Sequence, residues 1–244
     1  MQKSMFQIVS NESLTENVYK MVLMGDTSHI TAAGQFVNIA LEGLYLRRPI
    51  SVCDVEGDRL TIIYKAVGKG TRQMAQMEAG QLELLTGLGN GYDLTCAGEK
   101  PVLLGGGVGV PPMYLLAKKL IAEGKKVQVI LGFNTKSEVF YEKEFADIGC
   151  AVTVTTVDGS YGIKGFVTDA LRDMDYSYFY TCGPEPMLKA VYKASKTSGQ
   201  FSFEKRMGCG FGACMGCSCK TITGYKRICK EGPVMEKEEI LWED

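Results

Sequence analysis

The sequence predicts a β + α/β protein with an N-terminal β-barrel, a parallel-sheet α/β domain and a small cysteine-rich C-terminal module. Three observations carry this expectation. Short alternating runs punctuated by Gly and Asp occupy residues 1–97. Strand-like and helix-like segments alternate over residues 98–200, as a parallel sheet with crossover helices requires. Of nine cysteines, Cys209, Cys214, Cys217, Cys219 and Cys229 crowd into residues 201–244, which otherwise show little periodicity.

Taken in order, strands are expected around Phe6–Val9, Val18–Leu23, Phe36–Leu41, Ile50–Val55 and Leu60–Ala66, with turn residues such as Glu56-Gly57-Asp58 between them. A helix is expected from Thr71 to Met77. In the second region Pro101–Leu104 reads as a buried strand and Met113–Glu123 as a helix. Val127–Phe133 (strand), Glu142–Ile148 (helix), Ala151–Val157 (strand) and Gly165–Arg172 (helix) follow, then strand Tyr176–Cys182 and helix Pro186–Thr197.

Composition excludes several classes. A chain of 244 residues suits one or two domains with an appendage and buries a core without disulfides. A net charge of -1 gives no electrostatic case for nucleic acid or an anionic membrane. One histidine argues against His-based metal sites and a Ser-His-Asp triad. The N-terminus lacks a basic region followed by an apolar run and a cleavage site. The most apolar stretch, Pro101–Ala117, is broken by Gly105, Gly106, Gly107, Gly109, Pro111 and Pro112 and cannot form a continuous spanning helix. A cytoplasmic location is therefore expected, where clustered cysteines point to metal or redox chemistry rather than disulfides.

Five motifs follow. Cys209, Cys214 and Cys217 form C-x4-C-x2-C, with Cys229 further on; this is the plant-type spacing for a 2Fe-2S cluster. Glycines between them let the loop close and aim N–H groups at sulfur. A structural zinc site or free thiols are the alternatives. Cys219 lies too near Cys217 to reach the far side of a cluster, so Cys229 is favoured as fourth ligand and Cys219 as a buried small residue. Gly105-Gly106-Gly107-Val108-Gly109-Val110-Pro111 joins a strand to a helix, the context of a phosphate-binding turn, although Pro breaks the G-x-G-x-x-G pattern. A purely structural glycine turn remains open. Cys182-Gly183-Pro184-Glu185 joins a later strand to a helix, and two such turns meet at the carboxyl edge of a parallel sheet. Arg47-Arg48-Pro49-Ile50-Ser51 offers a guanidinium fork beside a stiff proline. Gly70-Thr71 opens a helix after Ile63-Tyr64-Lys65, as either an anion site or a plain cap.

The order of these motifs resembles the ferredoxin–NADP reductase superfamily with an iron–sulfur tail. Within it, the chain is most similar to the electron-transfer subunits of NAD-dependent (class 1B) dihydroorotate dehydrogenases. The likeness spans essentially the whole chain. Its specific part is the tail, from Glu204-Lys-Arg-Met through Cys217 to Arg227-Ile-Cys229-Lys-Glu-Gly-Pro-Val. The resemblance implies a Greek-key barrel binding FAD, with Arg48 on the phosphate side, Pro49 and Ile50 in the motif and Ser51 near the isoalloxazine. It implies that Ile63, Tyr64 and Lys65 flank FAD and that Gly70 and Thr71 take its pyrophosphate. Gly106, Gly107, Val108, Gly109 and Pro111 would hold NAD phosphate. Cys182, Gly183, Pro184 and Glu185 would line the nicotinamide pocket, with the Asp158 loop at the same edge. Cys209, Cys214, Cys217 and Cys229 would ligate the cluster. The interval between Cys217 and Cys229 is short for the family, which implies a trimmed hairpin.

The resemblance further implies an FMN-containing catalytic partner that oxidises dihydroorotate, a heterotetramer, and electrons delivered through 2Fe-2S and FAD to NAD+ in pyrimidine biosynthesis. No side chain need act as general acid or base. Rival readings are a reductase subunit of a hydrogenase, sulfite reductase or ferredoxin-type complex, and a non-enzymatic redox sensor. The cysteine set is expected to set the chain apart from bifurcating transhydrogenase subunits. Lys136 leaves a 2′-phosphate, hence NADP, open.

Overall fold

The computed structural model describes residues 1–242; the last two residues of the 201–244 module lie outside the described residues. The first six strands are β1 (Gln2–Ser13), β2 (Val18–Met24), β3 (Phe36–Ile39), β4 (Arg48–Glu56), β5 (Arg59–Lys65) and β6 (Gln81–Leu88), with helix α1 (Lys69–Ala75) before β6. They close into an antiparallel barrel of order β1-β2-β5-β4-β3-β6. Strands β3, β4 and β5 follow one another and β6 returns beside β3, which is Greek-key connectivity. Closure leaves the barrel no free edge. Strand alternation fills its interior: Leu60, Ile62 and Tyr64 of β5 point inward with Phe6, Met21, Leu23, Val37, Ile39 and Leu84, all at most 2% exposed. Each such side chain contributes roughly 1.5–3 kcal/mol of burial free energy.

β6 has no counterpart among the expected elements. Its stretch, Gln81-Leu-Glu-Leu-Leu-Thr-Gly-Leu, is rich in helix formers, and it becomes a strand because β1 and β3 pair with it on both sides.

The second sheet contains β7 (Val102–Gly106), β8 (Gln128–Phe133), β9 (Ala151–Thr156), β10 (Ile163–Lys164), β11 (Phe179–Cys182), β12 (Gly199–Ser202) and, from the tail, β15 (Val234–Glu236). Helices α2 (Pro111–Ala122), α3 (Glu142–Asp147), α4 (Val167–Leu171) and α5 (Glu185–Ala194) connect them. The order is β10-β9-β8-β7-β11-β12-β15, parallel except for β15. The sheet therefore runs past residue 200: β12 spans that position and β15 hydrogen-bonds to β12. In the tail, the hairpin β13 (Ser218–Thr221) and β14 (Gly224–Arg227) stands apart as a two-stranded sheet.

Helix α2 packs across β4, where Lys118 pairs with Asp54 at 2.8 Å and Glu56 at 2.6 Å, tying barrel to sheet. The tail is clamped to the barrel by Asn90, whose Nδ2 donates to the Val234 carbonyl at 2.8 Å while its Oδ1 accepts from Val234 N at 3.1 Å. Among the described residues no helix is long and apolar enough to cross a membrane.

Candidate flavin, nucleotide and iron–sulfur sites

Strand order places the first site. From β7 the chain passes outward to β8 and β9, then crosses back to β11 on the other side of β7. Ligands bind at such a switch point, outside the carboxyl ends of the strands. The Gly106–Pro111 turn leaves β7 and the Cys182–Glu185 turn leaves β11, so both flank it. They touch: a Cβ on Gly109 would lie 2.2 Å from the Cys182 carbonyl oxygen and 2.6 Å from Gly183 N. A Cβ on Gly106 would lie 2.3 Å from Met187 Sδ. Gly109 is therefore required by turn-on-turn packing, whereas Gly106 faces the flexible Met187 side chain. Gly107 differs: its φ is +52°, and a Cβ there would meet nothing within 4 Å. Gly107 and Val108 are the half-open part of the turn, and Pro111 starts α2 without needing an N–H.

Cys182 is only 1% exposed, beneath Gly109. Burial pushes its thiol pKa up, and Ser202 hydrogen-bonds to it. Tyr92, whose hydroxyl donates to the Thr181 carbonyl at 3.2 Å, closes the same spot. Tyr92 and Ser202 were not foreseen: both are remote in sequence and carry no motif. Pro184 is exposed and caps α5. The Glu185 carboxylate turns to Lys205 at 3.5 Å and Lys189 at 3.6 Å, so it links α5 to the chain entering the cysteine loop. Asp158 lies at the exposed end of β9, where its carboxylate accepts from Ser160 N (2.9 Å) and Oγ (2.7 Å); these bonds hold its pKa below the usual range. Lys136 donates its backbone N–H to Ser160 Oγ and lays its ammonium over the Tyr161 ring.

The barrel supplies the second site. In the β3–β4 ladder Arg48, Pro49, Ile50 and Ser51 stand opposite Ile39, Asn38, Val37 and Phe36, and all four are partly buried. Arg47 is consumed internally: it pairs with Glu83 and donates to the Asn38 carbonyl at 3.3 Å. Arg48 makes no ion pair among the described residues, and its Nε lies 2.2 Å from where a Cβ on Gly70 would sit. Gly70 thus leaves a cradle that admits the guanidinium over the first turn of α1. A fork-shaped cation beside free backbone N–H groups suits a pyrophosphate, so the residues present fit FAD. Thr71 shapes this turn: its Oγ1 accepts from Val67 N at 3.0 Å and Gly68 N at 3.1 Å. Tyr64 faces the barrel interior, where its hydroxyl donates to Asn11 Oδ1 at 2.9 Å; Ile63 and Lys65 take the opposite face of β5.

The third site is the cysteine loop. Cys209 Sγ accepts from Ala213 N (3.2 Å) and Cys214 N (3.4 Å), and Cys214 Sγ accepts from Cys209 N (3.5 Å). The β13–β14 hairpin returns the chain so that Cys229 N donates to Cys217 Sγ at 3.4 Å, and the two thiols are themselves in contact. Four thiols therefore form two pairs, Cys209 with Cys214 and Cys217 with Cys229. Among the described residues no three His, Cys, Asp or Glu side chains gather as a set for one metal ion. A structural zinc needs four donors around one point, whereas a 2Fe-2S cluster takes two thiolates per iron. The pairing fits the cluster. Burial opposes ionisation of Cys209, but backbone N–H groups of Phe211 and Cys214 outweigh it and hold its thiol pKa down to about 6. Cys219 points elsewhere, its Sγ 3.8 Å from Met235 Sδ. Phe211 (44%) and Met215 (53%) leave the loop's outer face apolar and exposed.

Comparison with known proteins agrees with this geometry. Residues 204–241 match the iron–sulfur cluster binding domain of dihydroorotate dehydrogenase B, and residues 103–193 an oxidoreductase NAD-binding domain. Curated relatives include the "Dihydroorotate dehydrogenase B (NAD(+)), electron transfer subunit" of Bacillus mycoides, 42% identical over 99% of both chains. The protein of that name from Geobacillus sp. is 40% identical over 99% of both chains. Among solved structures, an NADH-dependent reduced ferredoxin-NADP oxidoreductase described in connection with flavin-based electron bifurcation superimposes with a TM-score of 0.87 at 29% identity, covering 97% of this chain and 90% of that one. A Neisseria gonorrhoeae ferredoxin NADP+ reductase with bound FAD and NADP gives 0.70 at 18% identity, covering 80% and 90%, and shows the shared fold. The 0.87 likeness covers nearly the whole chain, so the overall fold is shared with an oxidoreductase described in connection with electron bifurcation. Identity over the full length does the rest, and the chain belongs to the family of dihydroorotate dehydrogenase B (NAD(+)) electron transfer subunits.

Proposed function

We propose that this chain carries electrons from an FMN-containing subunit that oxidises dihydroorotate, by way of a 2Fe-2S cluster and FAD, to NAD+ in pyrimidine biosynthesis. The observation that supports this best is the two-pair arrangement of Cys209, Cys214, Cys217 and Cys229 on a loop hydrogen-bonded to the barrel strand that faces the flavin motif. When bound, FAD supplies the exchange between hydride, which NAD requires, and single electrons, which a cluster carries.

The chain's own residues bind and orient. Arg48 and the Gly70–Thr71 turn hold the FAD pyrophosphate, Pro49 and Ile50 fix the strand, and Ser51 stands beside the isoalloxazine. Ile63 and Lys65 flank it from β5, while Tyr64 braces that strand from within. The open Gly107–Val108 edge, between the packed glycines Gly106 and Gly109, admits NAD phosphate. Cys182 and Gly183 floor the nicotinamide pocket, Pro184 and Glu185 fix the start of α5, and Asp158 edges the ribose side. Phe211 and Met215 give the cluster loop an apolar face for the FMN subunit, in an assembly of two such chains around a catalytic dimer in the cytoplasm.

An anaerobic visible spectrum of the purified chain, titrated with NADH, tests the electron path. Flavin bands and broad iron–sulfur absorption should both bleach; flavin without iron–sulfur absorption overturns the cluster. A reductase subunit of a hydrogenase, sulfite reductase or ferredoxin-type complex is the second reading, favoured by the 0.87 likeness to a ferredoxin-linked oxidoreductase. Dihydroorotate-dependent NAD+ reduction on adding the FMN subunit separates the two.

A further inference from the structure

Asn38 lies on β3 where the barrel meets the cluster loop, and it is 1% exposed. Its Nδ2 donates to the Cys209 carbonyl at 3.1 Å. The approach is close: a Cβ on Gly210, which has φ +76°, would lie 2.2 Å from that nitrogen. The other end of the amide, Oδ1, is buried without a hydrogen-bond partner. The orientation of the amide is dictated, because turning it over would set Oδ1 against the Cys209 carbonyl, two acceptors face to face. A buried acceptor left unmatched costs free energy and calls for a donor. Asn38 also stands opposite Pro49 in the ladder, inside the flavin motif. One residue therefore belongs to the flavin-facing strand pair by its backbone and to the cluster loop by its side chain.

We propose that Asn38 is a positioning residue that joins the two redox sites: its Nδ2 holds the loop carrying Cys209, and its Oδ1 accepts a hydrogen bond from a ring N–H of the bound flavin. This rests on the FAD assignment above. The isoalloxazine carries an N–H in every redox state, and the orphaned oxygen takes only a donor.

The test uses the holoprotein and two variants. Asn38→Leu removes both ends of the amide at similar volume. Asn38→Asp keeps an acceptor for the flavin but loses the amide donor to Cys209. FAD release on dilution is followed by flavin fluorescence, and the reduced cluster by its electron paramagnetic resonance spectrum and midpoint potential. Asn38→Leu should raise the FAD dissociation constant about tenfold, equivalent to about 1.4 kcal/mol, and change the cluster signal. Asn38→Asp should keep FAD within about threefold of wild type, at most about half of that free energy, yet still change the cluster signal. Wild-type FAD affinity in Asn38→Leu overturns the flavin contact. An unchanged cluster signal in both variants overturns the loop contact. If Asn38→Leu does not fold, Asn38→Asp decides alone: a loss of FAD comparable to the tenfold figure, or an unaltered cluster signal, refutes the proposal. A wild-type protein that binds no FAD instead defeats the functional reading on which the proposal stands.

Discussion

Gly70→Ala should weaken flavin binding while leaving the fold nearly as stable as before. The new Cβ would lie 2.2 Å from Arg48 Nε, 2.9 Å from Cζ and 3.0 Å from Nη2. Non-bonded contact needs about 3.5 Å, so the guanidinium must retreat by roughly 1 Å. Arg48 can do so cheaply, because its side chain is flexible and forms no ion pair among the described residues. Alanine in a helix is favoured over glycine by about 0.8–1.0 kcal/mol, which offsets much of the clash, so net stability should move by less than about 1 kcal/mol. Binding should suffer more. A hydrogen bond to a charged group contributes about 1.5–3 kcal/mol, so displacing the fork should raise the FAD dissociation constant roughly 10- to 100-fold. Flavin fluorescence on dilution gives the affinity and thermal unfolding of the apoprotein gives the stability. An FAD affinity within twofold of wild type would refute the cradle.

Other expectations concern the remaining sites. Cys229→Ser should abolish iron–sulfur absorption and lower iron per chain, whereas Cys219→Ser should keep both, because Cys219 faces Met235 rather than the paired thiols. Gly109→Ala meets backbone rather than a flexible side chain, with the Cys182 carbonyl 2.2 Å away. It should therefore cost stability, about 1–3 kcal/mol or more by overpacking, visible as a lowered melting temperature together with a raised KM for NADH. Hydrogen bonding to Lys118 holds the Glu56 carboxyl below its ordinary 4.5. A depressed folded-state value means this contribution is present above the ordinary range and is lost as pH falls through the lower folded value. Lys118→Met should flatten that acid limb in urea melts, and an unchanged limb would show that the pair stabilises nothing.

Local chemistry was readable because it is written in short spacings. Alternation announced five of the six barrel strands, the glycine turns announced strand-to-helix junctions, and C-x4-C-x2-C with a distant Cys announced a thiolate cluster. The hairpin β13–β14, short as the Cys217–Cys229 interval required, returns Cys229 to Cys217.

Other features depend on partners far away in the chain. The Leu- and Glu-rich run of β6 is a strand only because β1 and β3 flank it. Tyr64 sits in a segment that resembles a flavin-flanking motif, yet strand alternation and Asn11 turn it inward. Glu185 reads as a pocket residue, but Lys205 from the tail draws its carboxylate. Gly106 and Gly109 read as phosphate contacts, and their immediate constraint is the facing turn and Met187. The sequence by itself determined the barrel-like and α/β regions and singled out four candidate cluster cysteines, because periodicity and ligand spacing act over a few residues. Tertiary structure alone decided which strand neighbours which, how the thiols pair, that β15 completes the second sheet, and that Asn38 bridges the barrel to Cys209. Those are contacts between residues up to 171 positions apart, and only packing of the whole chain brings such residues into hydrogen-bond range.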